Sequence, residues 1–106
     1  MNETYVRLAR ADTVPDGEVR VFDVGVERIA LCNVKGSFYA IENTCTHDDG
    51  PLGEGTLDGA EVVCPRHGAR FDVRSGAVTR MPAVQPVRTF PVRVEGTEIY
   101  VRIGGI

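Results

Sequence analysis

A chain of 106 residues with a formal charge of −3 is about one domain of polypeptide, with room for only a modest core. Its acids and bases are interspersed, and its eleven arginines and one lysine are spread one or two to a segment, which leaves no basic face for nucleic acid. No apolar run approaches the ~20 residues of a membrane span, and Met1-Asn2-Glu3-Thr4-Tyr5 lacks the charged-then-apolar pattern of a secretory leader.

Almost every segment reads as β, with turn residues at short intervals. Tyr5-Val6-Arg7-Leu8 alternates as a half-buried strand does. Asp12 to Gly17 is a turn, and Glu18 to Val24 alternates again, with Val19, Val21 and Asp23 sharing one face. Gly25 closes that strand, and Glu27 to Val34 is the next. A turn at Lys35-Gly36 leads into Phe38-Tyr39-Ala40-Ile41, which delivers the chain to Asn43-Thr44-Cys45.

Three glycines and a proline in Gly50-Pro51-Leu52-Gly53-Glu54-Gly55 predict irregular turns rather than a helix. Thr56-Leu57, a turn at Asp58-Gly59, and Glu61-Val62-Val63 predict a hairpin that brings Cys64 beside Cys45. Ala69 to Val73 reads as a strand, Ser75-Gly76 as a tight turn and Ala77-Val78-Thr79 as its partner. The two prolines of Met81 to Pro86 preclude a regular central strand. Thr89 to Val94, the turn Glu95-Gly96 and Thr97 to Ile103 form the last hairpin. This is an all-β chain: an antiparallel β-sandwich or barrel-like base with a small inserted β subdomain at roughly residues 43–80. The whole, residues 1–106, is expected to be a single domain.

Both histidines and two of the three cysteines fall in two short loops, Cys45-Thr46-His47 and Cys64-Pro65-Arg66-His67. The pattern is C-x-H, sixteen residues, C-x-x-H, so each loop offers one thiolate and one imidazole. Three readings compete. The first is buried cysteines with incidental histidines, although random scatter rarely gives such matched pairs. The second is a structural zinc site, but Cys₂His₂ zinc ligands usually come as C-x₂₋₄-C followed by H-x₃₋₅-H. The third is a pair of irons bridged by two sulfides, with both thiolates on one iron and both imidazoles on the other. Each loop would then straddle the cluster, and that explains the alternating order. The remaining cysteine, Cys32, lies in the strand-like run Ile29-Ala30-Leu31-Cys32-Asn33 and reads as a core position, since free cysteine is among the most buried residue types.

With these residues in place the chain resembles the Rieske-type 2Fe–2S ferredoxins, over nearly its whole length. The resemblance implies Cys45, His47, Cys64 and His67 as the ligands of one 2Fe–2S cluster, and the family's H-G-x-x-[FY]-D run is matched by His67-Gly68-Ala69-Arg70-Phe71-Asp72. The respiratory-chain branch has one more cysteine in each loop, joined as a disulfide. Here Gly50 and Arg66 stand at those places, so the soluble ferredoxin branch is the nearer one. That respiratory branch also has a serine after the His-Gly pair and a tyrosine two residues later, whose hydroxyls donate to cluster sulfurs. Here the two are Ala69 and Phe71. In the family the proline-bearing segment, here Met81 to Pro86, shields the cluster from a third side.

Two ferric irons, two sulfides and two thiolates sum to zero charge, because neutral imidazoles add none. That is why exchanging Cys for His raises the potential from about −400 mV toward roughly −150 to +300 mV. All coordination positions are filled and no other catalytic constellation exists: with both histidines consumed, no second iron site can be built. The resemblance implies a one-electron carrier and no catalytic residues. It would pass electrons from a flavin-dependent NAD(P)H reductase to a terminal aromatic-ring dioxygenase, meeting each partner transiently at the cluster tip. The alternative is the small Rieske-like subunit of an NAD(P)H nitrite reductase. A cytoplasmic monomer is expected, with no membrane or nucleic-acid contact. Asp48, Asp49, Glu54, Asp58 and Glu61 surround the loops as candidate steering charges, diluted by Arg66 and Arg70.

Overall fold

The computed structural model describes residues 4–47 and 49–103. Among them are eleven strands: β1 (Tyr5–Arg10), β2 (Val19–Val24), β3 (Glu27–Val34), β4 (Ser37–Glu42), β5 (Thr56–Asp58), β6 (Glu61–Val63), β7 (Arg70–Asp72), β8 (Val78–Arg80), β9 (Thr89–Phe90), β10 (Val92–Glu95) and β11 (Glu98–Arg102). They form three antiparallel sheets, in the orders β1-β11-β10, β2-β3-β4-β9 and β5-β6-β7-β8. The only helical pieces among the described residues are 3-10 turns at Ala11–Thr13 and Leu52–Glu54. The all-β architecture expected from the turn spacing is what the chain adopts.

The middle sheet is the organising layer, and β3 shows why. Ile29, Ala30, Leu31 and Cys32 are all fully buried, although successive strand residues point to opposite faces. Both faces must therefore be covered. Ile29 and Leu31 pack with Leu8, Phe90, Ile99 and Val101 against the first sheet. Ala30 and Cys32 pack on the other side, in a core shared with Cys45, Cys64, Phe71 and Val73. The cluster-loop sheet is thus fastened to the base by a common apolar layer. Phe71 heads the fully buried side chains by volume, and its truncation to alanine should cost about 3–5 kcal/mol.

Local chemistry sets the connections. Val34 pairs with Ser37, and the two residues between them, Lys35 (φ 53°) and Gly36 (φ 89°), both have positive φ, as a type I′ hairpin requires. Two details depart from the sequence reading. Val19, Val21 and Asp23 do share a face, but only Val19 is buried; Phe22 and Val24, on the opposite face, are the ones packed against the first core. The cause is that β2 edges a sheet covered on both sides, so neither face is simply the inside. The second concerns the expected strand Thr89 to Val94, which is broken at Pro91. Proline brings no N–H to a ladder, so β9 pairs with β4 while β10 pairs with β11. The Pro91 carbonyl still accepts the Arg102 N–H at 3.0 Å. The chain changes sheets at that residue.

Candidate functional site

Two loops at one end of the third sheet carry the sequence-predicted residues. The first leaves β4 through Asn43, which is buried; its N–H donates to the Arg28 carbonyl at 2.9 Å, and its Oδ1 accepts the Gly53 N–H. One buried amide thereby anchors both ends of the first loop, a role that nothing in the sequence pattern signals. The second loop joins β6 to β7.

The two loops are closed by the same hydrogen bonds. The Cys45 N–H donates to the Gly50 carbonyl at 2.7 Å, and the Cys64 N–H to the Ala69 carbonyl at 2.8 Å. The Asp49 N–H donates back to the Cys45 carbonyl at 2.8 Å, and the Gly68 N–H to the Cys64 carbonyl at 3.1 Å. In both, the fifth residue has left-handed backbone: φ is 62° at Asp49 and 75° at Gly68. Each cysteine thus starts an equivalent turn. The sequence conceals this, because the histidine hangs two residues after one cysteine and three after the other.

Depth separates the donors. Cys45 and Cys64 are 0% and 1% exposed and belong to the shared apolar core. His47 and His67 are exposed, with ring centroids 5.3 Å apart and planes at 87°. The two thiols thus lie in one apolar core, and the two imidazole rings meet edge to face outside it. Two soft thiol donors in an apolar layer and two imidazoles at its mouth fit a 2Fe–2S group with unlike irons. Cys32 stands apart in the middle sheet, where burial pushes its thiol up to about 12. An uncharged thiol there is core packing, not a ligand.

The proline-bearing segment packs on the same core. Ala83 and Val87 are buried in the same core as the two cysteines, while Met81 and Val84 are 74% and 78% exposed. Gly76 anchors the far end: it receives the Val87 N–H at 2.9 Å, and a Cβ on it would lie 2.2 Å from the Val87 carbonyl. The Thr46 hydroxyl donates to the Gln85 carbonyl at 2.6 Å. That bond, invisible in the sequence, ties this segment to the first loop.

Of the acids expected to steer a partner, Asp58 and Glu61 are engaged. Arg70 Nη1 donates to Asp58 at 2.8 Å and to Glu61 at 3.2 Å, and the two carboxylates raise the Arg70 pKa above its ordinary value. Strand pairing explains it: Arg70 sits opposite Val63, on the face it shares with Asp58 and Glu61 two strands and one strand away. Asp49 and Glu54 are exposed, and Asp48 lies outside the described residues.

The family pattern of the Rieske (2Fe–2S) domain matches residues 4–91. The chain is 39% identical over 99 residues to the biphenyl 2,3-dioxygenase ferredoxin component of Rhodococcus jostii (strain RHA1), covering 93% of this chain and 92% of that protein. Among solved structures it is similar to the ferredoxin of carbazole 1,9a-dioxygenase from Nocardioides aromaticivorans IC177, with TM-score 0.89, 42% identity, and 92% and 96% of the two chains covered. A carbazole 1,9a-dioxygenase complex of reduced oxygenase and oxidized ferredoxin matches with TM-score 0.89 and 36% identity over 99% and 98% of the chains. A putative NADH-dependent nitrite reductase small subunit from Mycobacterium tuberculosis matches over both full lengths with TM-score 0.87 but 19% identity, which speaks to the fold alone.

Proposed function

This chain belongs to the Rieske (2Fe–2S) domain family, and from that premise we propose that it is the ferredoxin of a ring-hydroxylating dioxygenase system, a carrier rather than a catalyst. The group it holds is one 2Fe–2S cluster, which takes up and returns a single electron. Cys45 and Cys64 would hold one iron and His47 and His67 the other. Both cysteines lie in the apolar core that also holds Ala69 and Phe71, while the imidazoles reach the surface and would form the edge by which an electron enters and leaves.

The observation that carries the reading is this difference in depth, buried thiols behind exposed imidazole rings 5.3 Å apart. A carrier needs its cofactor within reach of a partner and closed to substrate. The donor is a flavin-dependent NAD(P)H reductase and the acceptor a terminal oxygenase; the acceptor is supported by the carbazole 1,9a-dioxygenase relative, whose oxidized ferredoxin is seen in complex with reduced oxygenase. Redox encounters use small, transient interfaces, and the exposed rings of His47 and His67 would lie in one. The chain works as a monomeric single domain, residues 1–106, in the cytoplasm, where thiols stay reduced. No helix among the described residues is long and apolar enough to cross a membrane.

The test is reconstitution. With NADH, a dioxygenase reductase and its terminal oxygenase, hydroxylated product should form only when this chain is present, and rise with its concentration. Product formation that ignores the chain would defeat the proposal.

A further inference from the structure

The segment 83–87 is an arch. Its two ends, Ala83 and Val87, are sunk in the apolar core that holds Cys45 and Cys64, at 1% and 4% exposure, while Val84, Gln85 and Pro86 stand out in solvent. Two buried alanine- and valine-sized anchors give an exposed arch few contacts of its own, and segments with few buried contacts open easily. Yet the crown of the arch is bonded at one point: the Gln85 carbonyl accepts the Thr46 hydroxyl at 2.6 Å. Thr46 lies between Cys45 and His47, so the bond spans from the crown to the very turn that carries one buried thiol and one exposed imidazole.

We propose that Thr46 is a positioning residue: its hydroxyl latches the arch onto the first loop, so that the arch closes the thiol side of the site. The latch is local. Its donor is held by the Cys45–Gly50 turn, and its acceptor by the Val87–Gly76 hydrogen bond at 2.9 Å, so loss of the hydroxyl frees the crown and leaves the Val87–Gly76 bond to hold that end of the arch alone. Reagents that attack iron-bound thiolates would then reach them through the opened arch. The inference rests on the ligand assignment proposed above, but not on the identity of any partner.

Thr46→Val keeps the shape and removes the donor; Thr46→Ser restores the donor. On purified, cluster-loaded protein, exchange of the Val87 N–H, which is bonded to the Gly76 carbonyl, should be roughly two- to ten-fold faster in Thr46→Val, the range a single hydrogen bond supports. Exchange in β3 should not change. Bleaching of the visible absorption by an organomercurial, which captures the iron-bound thiolates, should accelerate by a similar factor, and Thr46→Ser should behave as wild type in both. Equal acceleration in the arch and in β3 would mean a loss of global stability and overturn the latch, as would faster exchange with unchanged bleaching. A wild-type protein lacking iron and sulfide would instead overturn the ligand assignment, which separates the two failures.

Discussion

Ala69→Ser and Phe71→Tyr each place a hydroxyl where this chain has none. Both residues are fully buried in the core that contains Cys45 and Cys64, and the Ala69 carbonyl closes the second loop onto the Cys64 N–H. A donor aimed at sulfur favours the reduced cluster, which carries one more negative charge. A hydrogen bond to a charged acceptor contributes about 1.5–3 kcal/mol, and only the difference between redox states counts. If half of it appears on reduction, then with about 59 mV per tenfold change in a one-electron couple each substitution should raise the potential by roughly 30–65 mV. Without either hydroxyl the wild-type potential should lie near the bottom of the family range, on the order of −150 mV. Protein-film voltammetry at pH 7 reads all three values. A hydroxyl that misses its sulfur is a buried unsatisfied donor costing about 1–3 kcal/mol, so a thermal melt distinguishes a misaimed group from a wrong argument. A wild-type potential above zero, or a downward shift in a variant that melts normally, would refute the reasoning.

Replacing an imidazole in His67→Cys adds a thiolate to the outer iron, and the potential should fall wherever the cluster survives; an unchanged potential in voltammetry would exclude His67 as a ligand. Cys32→Ala should leave the visible spectrum intact, and in the wild type this thiol, held up to about 12 by burial, should resist iodoacetamide at pH 8 until the protein is denatured. Gly68→Ala should lose about 1–2 kcal/mol in a denaturant melt, because its φ is 75° even though a Cβ there would meet nothing within 4 Å. Gly68→Asn should lose less, since asparagine, like the Asp49 of the equivalent turn, tolerates left-handed backbone.

The hairpins were legible because their chemistry is local. Lys35-Gly36 makes the turn between β3 and β4 as read, while the other two turns start one residue later, at Gly59 and Gly96, because Asp58 and Glu95 end their strands paired with Glu61 and Glu98. The double-sided burial of β3 is also written in its unbroken Ile29-Ala30-Leu31-Cys32 run, the mark of a strand covered on both faces. The four candidate donors could be picked out by spacing alone, and the fold sets two of them in one apolar core and two with their rings in contact outside it. What was not legible depends on distant partners. Pro91 moves the chain between sheets only because β4 and β11 lie on either side of it. Asp58 and Glu61 looked free to steer, but the register of β5, β6 and β7 sets Arg70 against both. Asn43 and Thr46 are ordinary loop residues by sequence, and their roles come from Gly53 and Gln85 across the site. The kinship of the two turns was hidden by side chains, since Asp49 and Gly68 do the same backbone work with different residues.

Mössbauer spectroscopy of the isotope-enriched, oxidised protein tests the account most directly, because it counts irons and separates them by ligand. Two thiolates on one iron and two imidazoles on the other should give two components of equal area, and on one-electron reduction only the imidazole-bound component should turn ferrous. A single component, or a chain that holds one zinc and no iron, would contradict the assignment of Cys45, His47, Cys64 and His67.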